Sequence, residues 1–344
     1  MQLPREVLVG NGTISRTAEV ARMLGFTVSG LIIAGSKTYE IAGKRVRELL
    51  EEEGMQVNVF TVETATIRDV EAVEERIKQL KPEIVFGVGG GTKIDVAKIS
   101  SANQGIPFMS IPTTASHDGF ASPLTSVKGF SQPFSLMAQA PLAIIADTSI
   151  ISKAPWRFSV SGCGDVISKL TAVKDWKLAH EVTNEYYGGY AASLALMSAR
   201  LVIQNSGVIR PDSEEGLRIL IEALVSCGVA MSIAGSSRPC SGSEHLFCHA
   251  MNVINPNHYL HGELCGVGAI MMAYLHRTKW ELVRDTLKKL GAPTCAADLG
   301  TDEDVVVKAL QMAISMRPER YTILNEAKLD RKSCEELARK TGVT

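Results

Sequence analysis

The pattern of apolar residues changes near residue 150, and this change constrains the fold more than any other feature. Before it, short β-rich apolar runs alternate with stretches whose apolar residues recur at helical spacing. The runs lie at residues 6–9, 31–34, 57–62, 84–88, 108–111 and 142–146, and the helical stretches at 13–24, 39–53 and 69–80, the last with Asp69 as its N-cap. This alternation predicts an α/β domain with a doubly wound, mostly parallel, Rossmann-like sheet.

After residue 150 the strand-like runs cease. Long stretches rich in Ala, Leu and Met follow, at residues 166–180, 190–205, 214–234 and 265–275. Their length and apolar spacing are typical of helices. We therefore expect two domains, an α/β domain over residues 1–150 and an all-α domain over residues 151–344.

Composition narrows the class of protein. The chain of 344 residues is 45% hydrophobic with a formal net charge of −1, and its interspersed charges offer no basic stripe for nucleic acid. We read no signal peptide at the N-terminus and no stretch of roughly 20 apolar residues that could span a bilayer. We therefore expect a cytoplasmic protein that is not inserted in a membrane.

The chain has seven cysteines, an odd number, and none stands in a Cys-x-x-Cys arrangement. This argues against a disulfide framework and against a structural zinc cluster. Cys163, Cys248 and Cys265 lie close in sequence to candidate site residues, and thiolates bind zinc. The favoured role for each is nevertheless that of a small buried hydrophobe.

A glycine loop follows the strand at 84–88 and opens a helix. It consists of Gly89, Gly90, Gly91, Thr92, Lys93, Ile94 and Asp95. Glycines let the backbone approach a phosphate, and a helix N-terminus favours an anion. The loop matches neither the dinucleotide fingerprint nor the P-loop, and a tight strand-to-helix turn is the alternative. Thr92 and Asp95 also have capping-box spacing.

A second loop follows the next strand and carries small and hydroxyl residues. The candidates in it are Thr113, Thr114, Ala115, Ser116 and Ser122. Ligands of open α/β sheets bind beyond the carboxyl ends of the strands, so the two loops would face one cleft. Hydroxyls there suit a ribose or a pyrophosphate, although a polar loop without a ligand fits the same residues equally well.

The helical half contains a candidate metal site. Asp165 precedes a predicted helix, His245 and His249 stand four residues apart, and His261 opens another helix. A catalytic zinc typically takes three protein ligands and leaves one position open, and Asp165, His245 and His261 could supply that set. His249 shares a helical face with His245. The alternatives are ordinary hydrogen-bonded histidines and an Asp165 that serves as an N-terminal helix charge.

The combination of these motifs resembles the sn-glycerol-1-phosphate dehydrogenase family. The segments that carry the resemblance are Gly-Gly-Gly-Thr-Lys-Ile-Asp-Val-Ala-Lys at 89–98, Pro-Thr-Thr-Ala-Ser-His-Asp-Gly at 112–119, Gly-Ser-Glu-His at 242–245 and His-Gly-Glu at 261–263. The resemblance covers nearly the whole chain. It implies a homo-oligomeric enzyme that reduces dihydroxyacetone phosphate to sn-glycerol 1-phosphate with NADH or NADPH, for archaeal membrane lipid synthesis.

The resemblance also implies roles for residues. It makes Asp165, His245 and His261 the ligands of Zn²⁺, and it places Asp118 and His249 at the substrate, with Asp165 touching both metal and substrate. The dinucleotide would contact the glycine loop and the hydroxyl loop. Zinc would polarise the C2 carbonyl while the nicotinamide delivers hydride. No Lys or Arg stands out as a partner for the substrate phosphate.

Three rival functions fit part of the pattern. A glycerol dehydrogenase would act on the unphosphorylated triol with the same metal and hydride chemistry. A lyase resembling dehydroquinate synthase would use the same dinucleotide and metal without net consumption of NADH. A non-enzymatic nucleotide sensor would not explain why the candidate metal ligands Asp165, His245 and His261 are present.

Overall fold

The computed structural model describes residues 2–127, 129, 135–256 and 258–344. It divides into two compact units, Met1–Pro155 and Trp156–Thr344. The strands, all in the first unit, are β1 (Glu6–Gly10), β2 (Ser29–Ala34), β3 (Gln56–Thr61), β4 (Ile84–Gly89), β5 (Phe108–Pro112), β6 (Leu124–Ser126), β7 (Ser135–Met137) and β8 (Ala143–Asp147).

Six of these strands form one sheet in the order β1-β8-β5-β4-β2-β3. The pairings in this sheet are parallel. The predicted strands all lie within it, which confirms the predicted α/β fold class. The short antiparallel pair β6 and β7 was not predicted, because three-residue strands carry too few alternating positions to be recognised.

Helices cover the sheet of the first unit. They are α1 (Thr17–Met23), α2 (Ser36–Thr38), α3 (Lys44–Glu52), α4 (Ile67–Leu80), α5 (Gly91–Asn103) and α6 (Thr148–Ile151). On one face, Ile32, Phe86 and Met109 join one buried cluster with Val46 and Leu50 of α3. On the other face α5 approaches β4 closely, since a Cβ added at Gly87 would lie 3.0 Å from the Cβ of Ala97. This contact fixes the N-terminus of α5 beyond the end of β4.

The start of α4 corrects one prediction. Asp69 is not the N-cap; α4 begins at Ile67, and the cap is Thr66, whose side chain accepts from the Asp69 backbone N–H. The Asp69 carboxylate accepts in turn from the Thr66 N–H at 2.8 Å. The reciprocal pair is a capping box, and it places the N-cap three residues before Asp69.

The second unit is helical, as predicted. Its helices are α7 (Trp156–Thr183), α8 (Gly189–Gln204), α9 (Glu214–Ala234), α10 (Ser243–Ile254), α11 (His261–Leu275), α12 (Trp280–Leu290), α13 (Ala296–Leu299), α14 (Glu303–Ala313), α15 (Ile323–Ala327) and α16 (Arg331–Thr341). Helix α7 packs along α8, α9 and α11, so the apolar faces of the long helices form the core of this unit.

Helix α9 corrects the expectation that no stretch is apolar enough to span a bilayer. By length and composition alone its 21 residues qualify, with a mean hydropathy of 1.8 over the most apolar window. Of that window, 61% is buried inside the protein, and a buried core helix passes the same test.

Candidate functional site

The glycine loop joins β4 to α5 as the sequence predicts. Strand β4 ends at Gly89, and α5 begins at Gly91 with Gly90 as its N-cap. Gly89 has a φ of +154°, which side chains rarely adopt, and a Cβ added at Gly91 would lie 2.2 Å from Nε2 of His117. Glycine is therefore required here by backbone conformation and packing, and the first N–H groups of α5 are presented at the end of the sheet.

The hydroxyl loop lies directly against the glycine loop. The Thr113 N–H donates to the Gly89 carbonyl at 3.0 Å, and a Cβ added at Gly90 would lie 3.4 Å from Oγ1 of Thr114. Thr113, Ala115 and Ser122 are buried, whereas Thr114 and Ser116 keep part of their surface exposed. The two predicted dinucleotide segments are thus neighbours at the carboxyl ends of β4 and β5.

Asp95 does not form a capping box with Thr92. Because α5 begins at Gly91, Thr92 lies inside the helix and cannot cap it. The buried Asp95 carboxylate instead accepts from the Ser126 N–H at 3.1 Å and pairs with Lys98 at 3.5 Å. Its contacts hold β6 against α5.

Asp118 opens a short 3-10 turn, Asp118–Phe120, in the hydroxyl loop. The ring of His117 caps this turn by accepting from the Gly119 N–H at 3.0 Å. The Asp118 carbonyl accepts from the N–H groups of Ala121 and Ser122. The predicted substrate residue is therefore held in a defined turn of the first unit.

In the second unit, the three predicted metal ligands come together. The Nε2 atoms of His245 and His261 are 3.2 Å apart, and each lies 3.9 Å from Oδ1 of Asp165. Asp165 is fully buried and His245 nearly so, while the His261 side chain keeps 35% of its surface exposed. The cluster is thus closed behind Asp165 and open on the side of His261.

Close packing of two helices positions Asp165, and the structure corrects the prediction that Asp165 precedes a helix. Asp165 lies inside α7, which begins at Trp156. A Cβ added at Gly164 would lie 2.3 Å from the Gly262 carbonyl oxygen, and one at Gly262 would lie 1.7 Å from the Ser161 carbonyl oxygen. Gly164 and Gly262 thus let the backbones of α7 and α11 touch, which places Asp165 beside His261.

Buried carboxylates orient the two histidines. Glu244 lies 2.8 Å from Nδ1 of His245, leaving Nε2 directed toward the cluster. Glu263, clamped by Arg157 at 2.5 and 2.7 Å, accepts from the Leu260 N–H at 3.0 Å. That contact fixes the start of α11, where His261 stands. Such outer contacts set the tautomer and direction of metal-binding imidazoles.

Lys169 is a buried partner of Asp165 that the sequence reasoning missed. Its ammonium donates to Oδ1 of Asp165 at 2.5 Å, and both side chains are fully buried. Although burial opposes ionisation, Lys169, His261 and His245 hold the pKa of the Asp165 carboxyl well below its usual range. The spacing of four residues along one helix was the available signal.

Cys265 is a fourth potential donor beside the predicted ligands. Its Sγ lies 3.5 Å from Nε2 of His261, and one donor atom from each of Asp165, His245, His261 and Cys265 falls within 4.8 Å of the others. Cys265 stands one helical turn after His261, which places both on one face of α11. Its position is that of a site residue rather than of a core hydrophobe alone.

His249 lies one turn after His245 on α10 and is half-buried. Burial, together with the positive charges of His245, His261, Arg317 and Arg320, lowers the pKa of His249 well below its usual value. The imidazole is therefore neutral near pH 7, so one ring nitrogen donates a hydrogen bond and the other accepts one.

The donor set fits a divalent metal ion such as zinc. A tetrahedral centre with zinc–nitrogen and zinc–oxygen distances of about 2.0–2.2 Å separates its ligand atoms by about 3.3–3.6 Å. The separations of 3.2 and 3.9 Å among Asp165, His245 and His261 bracket that range. Two imidazoles and a carboxylate match an open catalytic site.

The fold is shared with dehydrogenases and reductases of known structure, and the candidate site could hold a metal ion. The family model described as iron-containing alcohol dehydrogenase matches residues 8–155. A glycerol dehydrogenase from Schizosaccharomyces pombe has a similar structure, with a TM-score of 0.82 at 18% identity over 98% of this chain and 89% of that one. A maleylacetate reductase from Agrobacterium tumefaciens has a TM-score of 0.77 at 16% identity, over 99% and 97%.

Relatives of higher identity identify the family. The chain is 50% identical over its whole length to the glycerol-1-phosphate dehydrogenase [NAD(P)+] of Pyrococcus furiosus, of which it covers 99%. It is 51% identical to the enzyme of the same name from Methanosarcina mazei, again over the whole chain and 96% of the relative. The chain belongs to the glycerol-1-phosphate dehydrogenase family, and the resemblance inferred from the motifs is confirmed.

Proposed function

We propose that the chain reduces dihydroxyacetone phosphate to sn-glycerol 1-phosphate with NADH or NADPH, as a step of membrane phospholipid synthesis in archaea. The observation that carries the proposal is the cluster of Asp165, His245 and His261, in which the Nε2 atoms of the two histidines are 3.2 Å apart. The full length of the chain also matches glycerol-1-phosphate dehydrogenases.

The two units would have different binding roles. The first would bind the dinucleotide: Gly89 to Asp95 offer the N-terminus of α5, and Thr113 to Ser116 with Ser122 form the adjacent loop. The second would bind the metal and supply His249, one of the proposed substrate residues. When the dinucleotide is bound, it supplies the hydride that reduces C2 of the substrate and is itself oxidised.

Asp165, His245 and His261 would hold the metal, which we propose is zinc. When bound, it supplies a Lewis acid that polarises the carbonyl to be reduced. The chain contributes the orientation: Glu244 directs the His245 ring, and Lys169 keeps the fully buried Asp165 carboxylate ionised. A buried carboxylate without such a partner would take up a proton and lose its affinity for a cation.

The reduced oxygen must take up one proton. Asp118 and His249 are the proposed substrate residues, and the lowered pKa of His249 keeps its imidazole neutral with one N–H to donate. A general acid acts from within hydrogen-bonding distance of the atom it protonates. We propose that His249 positions the substrate by such a bond or relays the proton from solvent.

The family relationship also supports two further proposals, that the chain is cytoplasmic and that it assembles into a homo-oligomer.

A substrate comparison tests the proposed reaction. The purified protein should oxidise NADH or NADPH with dihydroxyacetone phosphate, and chiral analysis should find sn-glycerol 1-phosphate as the product. A glycerol dehydrogenase would instead reduce unphosphorylated dihydroxyacetone and oxidise glycerol more efficiently. Turnover without net loss of NADH would indicate the lyase, and dinucleotide binding without any turnover would indicate the sensor.

A further inference from the structure

A cluster of three arginines borders the candidate metal site in the second unit. Arg238 precedes α10, and Arg317 and Arg320 lie in the segment between α14 and α15. Arg320 donates to the Ser241 carbonyl at 2.6 Å and to the Ser237 hydroxyl at 2.7 Å. Arg238 donates to the Tyr321 carbonyl at 3.0 Å. The two segments are thus tied together by the arginines themselves.

Asp175 anchors this arrangement to the helix that carries His245 and His249. Its fully buried carboxylate accepts from the Ser243 N–H at the start of α10 and from the Ile323 N–H at the start of α15, both at 2.7 Å. The segment between α14 and α15, which carries Arg317 and Arg320, is therefore fixed in place beside the N-terminus of α10.

Arg238 and Arg320 have partners of different kinds. The carboxylate of Glu185 forms a two-pronged ion pair with Arg238. The two contacts of Arg320 are to neutral oxygens. Burial, and then the charges of Arg317 and Arg238, lower the pKa of Arg320 to about 9. Burying like charges together costs free energy unless an anion offsets them.

Arg320 lies beside the start of the helix that carries His245 and His249. It donates to the carbonyl of Ser241, two residues before α10 begins, and His245 is the third residue of that helix. The charges of Arg317 and Arg320 also contribute to the lowered pKa of His249, one turn further along α10. A molecule with a carbonyl at the metal ligands and an anion at the arginines would match this arrangement.

We propose that Arg320 and Arg317 bind the phosphate group of the substrate and give the site its preference for a phosphorylated triose over an uncharged one. This inference rests on the proposed function. Guanidinium is suited to phosphate because its planar donors match two phosphate oxygens at once. Arg238, neutralised by Glu185, holds the segment rather than the ligand.

Replacing Arg320 tests the proposal. For Arg320→Gln we expect KM for dihydroxyacetone phosphate to rise about 10- to 100-fold, the effect of losing a charged hydrogen bond. Reduction of unphosphorylated dihydroxyacetone should change less than about twofold, and Arg320→Lys should recover part of the loss. Inorganic phosphate should compete with the phosphorylated substrate in the wild type and lose this effect in Arg320→Gln.

Arg218→Gln is the matched control, because Arg218 lies exposed on α9 in an ion pair with Glu222. Equal loss of activity on both substrates in Arg320→Gln would contradict the proposal and leave Arg320 a structural role. If Arg320→Gln fails to fold, the same kinetic comparison is made with Arg317→Gln, and competition by inorganic phosphate is measured in the wild type. If phosphate does not compete with dihydroxyacetone phosphate in the wild type, the proposal is contradicted. A wild type that binds phosphate but reduces no dihydroxyacetone phosphate would contradict the proposed function alone.

Discussion

Glycines, which have no side chain, position the candidate metal site as much as the metal-binding side chains do. At the crossing of α7 and α11 the main chains touch, and Gly164 and Gly262 leave no room for a Cβ. A glycine inside a helix costs roughly 1 kcal/mol relative to alanine. The gain is a short distance between Asp165 on one helix and His261 on the other.

Gly262→Ala tests this explanation. The added Cβ would lie 1.7 Å from the Ser161 carbonyl oxygen, so the two helices must separate. We expect a loss of about 1–3 kcal/mol in the free energy of unfolding and weaker metal binding, measured by chemical denaturation and by metal titration. Gly189→Ala is the control, since a Cβ there meets nothing within 4 Å. Unchanged metal affinity in Gly262→Ala would contradict the positioning role.

The sequence predicted the residues of this cluster better than their surroundings. Carboxylate and imidazole are recognisable metal donors in any sequence, so Asp165, His245 and His261 could be selected, and the structure brings them together. Lys169 was missed, and Cys265 was interpreted as a small buried hydrophobe, because the role of a buried lysine or thiol is recognisable only from its tertiary neighbours. The arginines were missed for the same reason, since Arg238 and Arg320 are distant in sequence.

At the scale of elements, α5 and the loop that follows β5 form one assembly in the first unit. Lys98 is fully buried, and its ammonium donates to the carbonyls of Gly119 and Leu124 at 2.5 and 2.6 Å. Gly119 belongs to the loop that carries Asp118 and Ser122, and Leu124 begins β6, the strand that follows this loop. One lysine thus holds the hydroxyl loop against the helix that begins at the glycine loop.

Lys98→Met should destabilise this assembly. Removing one partner of a buried ion pair leaves Asp95 uncompensated, which costs about 3–5 kcal/mol. We expect a lower midpoint of thermal unfolding and weaker NADPH binding, measured by calorimetry and fluorescence titration. Lys78→Met, at an exposed position of α4, is the matched control. NADPH affinity equal to that of the wild type would show that the lysine does not position the loop.

The regular elements were predictable because burial periodicity is a local property of the chain. All six strands of the sheet were located from apolar runs alone. The boundaries were less accurate: Asp69 was assigned as a cap although Thr66 has that role, and α7 was started after Asp165 rather than at Trp156. Glycines are rare inside helices, so the glycines of α7 are explained only once their packing against α11 is known.

At the scale of the whole molecule, the fold does not determine the substrate. Similar structures include a glycerol dehydrogenase and a maleylacetate reductase, whose names indicate substrates of different chemistry. A fold of this kind supports many reactions, and the particular side chains at the site select among them. In this chain we propose that Arg320, beside the start of α10, and Arg317 select a phosphorylated substrate over an uncharged triol.

The most direct test of the account is the rate of NADPH oxidation on dihydroxyacetone phosphate while zinc is titrated into metal-free protein. We predict a rate that rises in proportion to added zinc and saturates at about one ion per chain, as expected for one open site of three ligands, and no such rise in His261→Ala. Full activity of the metal-free protein, or stoichiometric zinc binding that leaves the rate unchanged, would contradict the assignment of Asp165, His245 and His261 as a catalytic metal site.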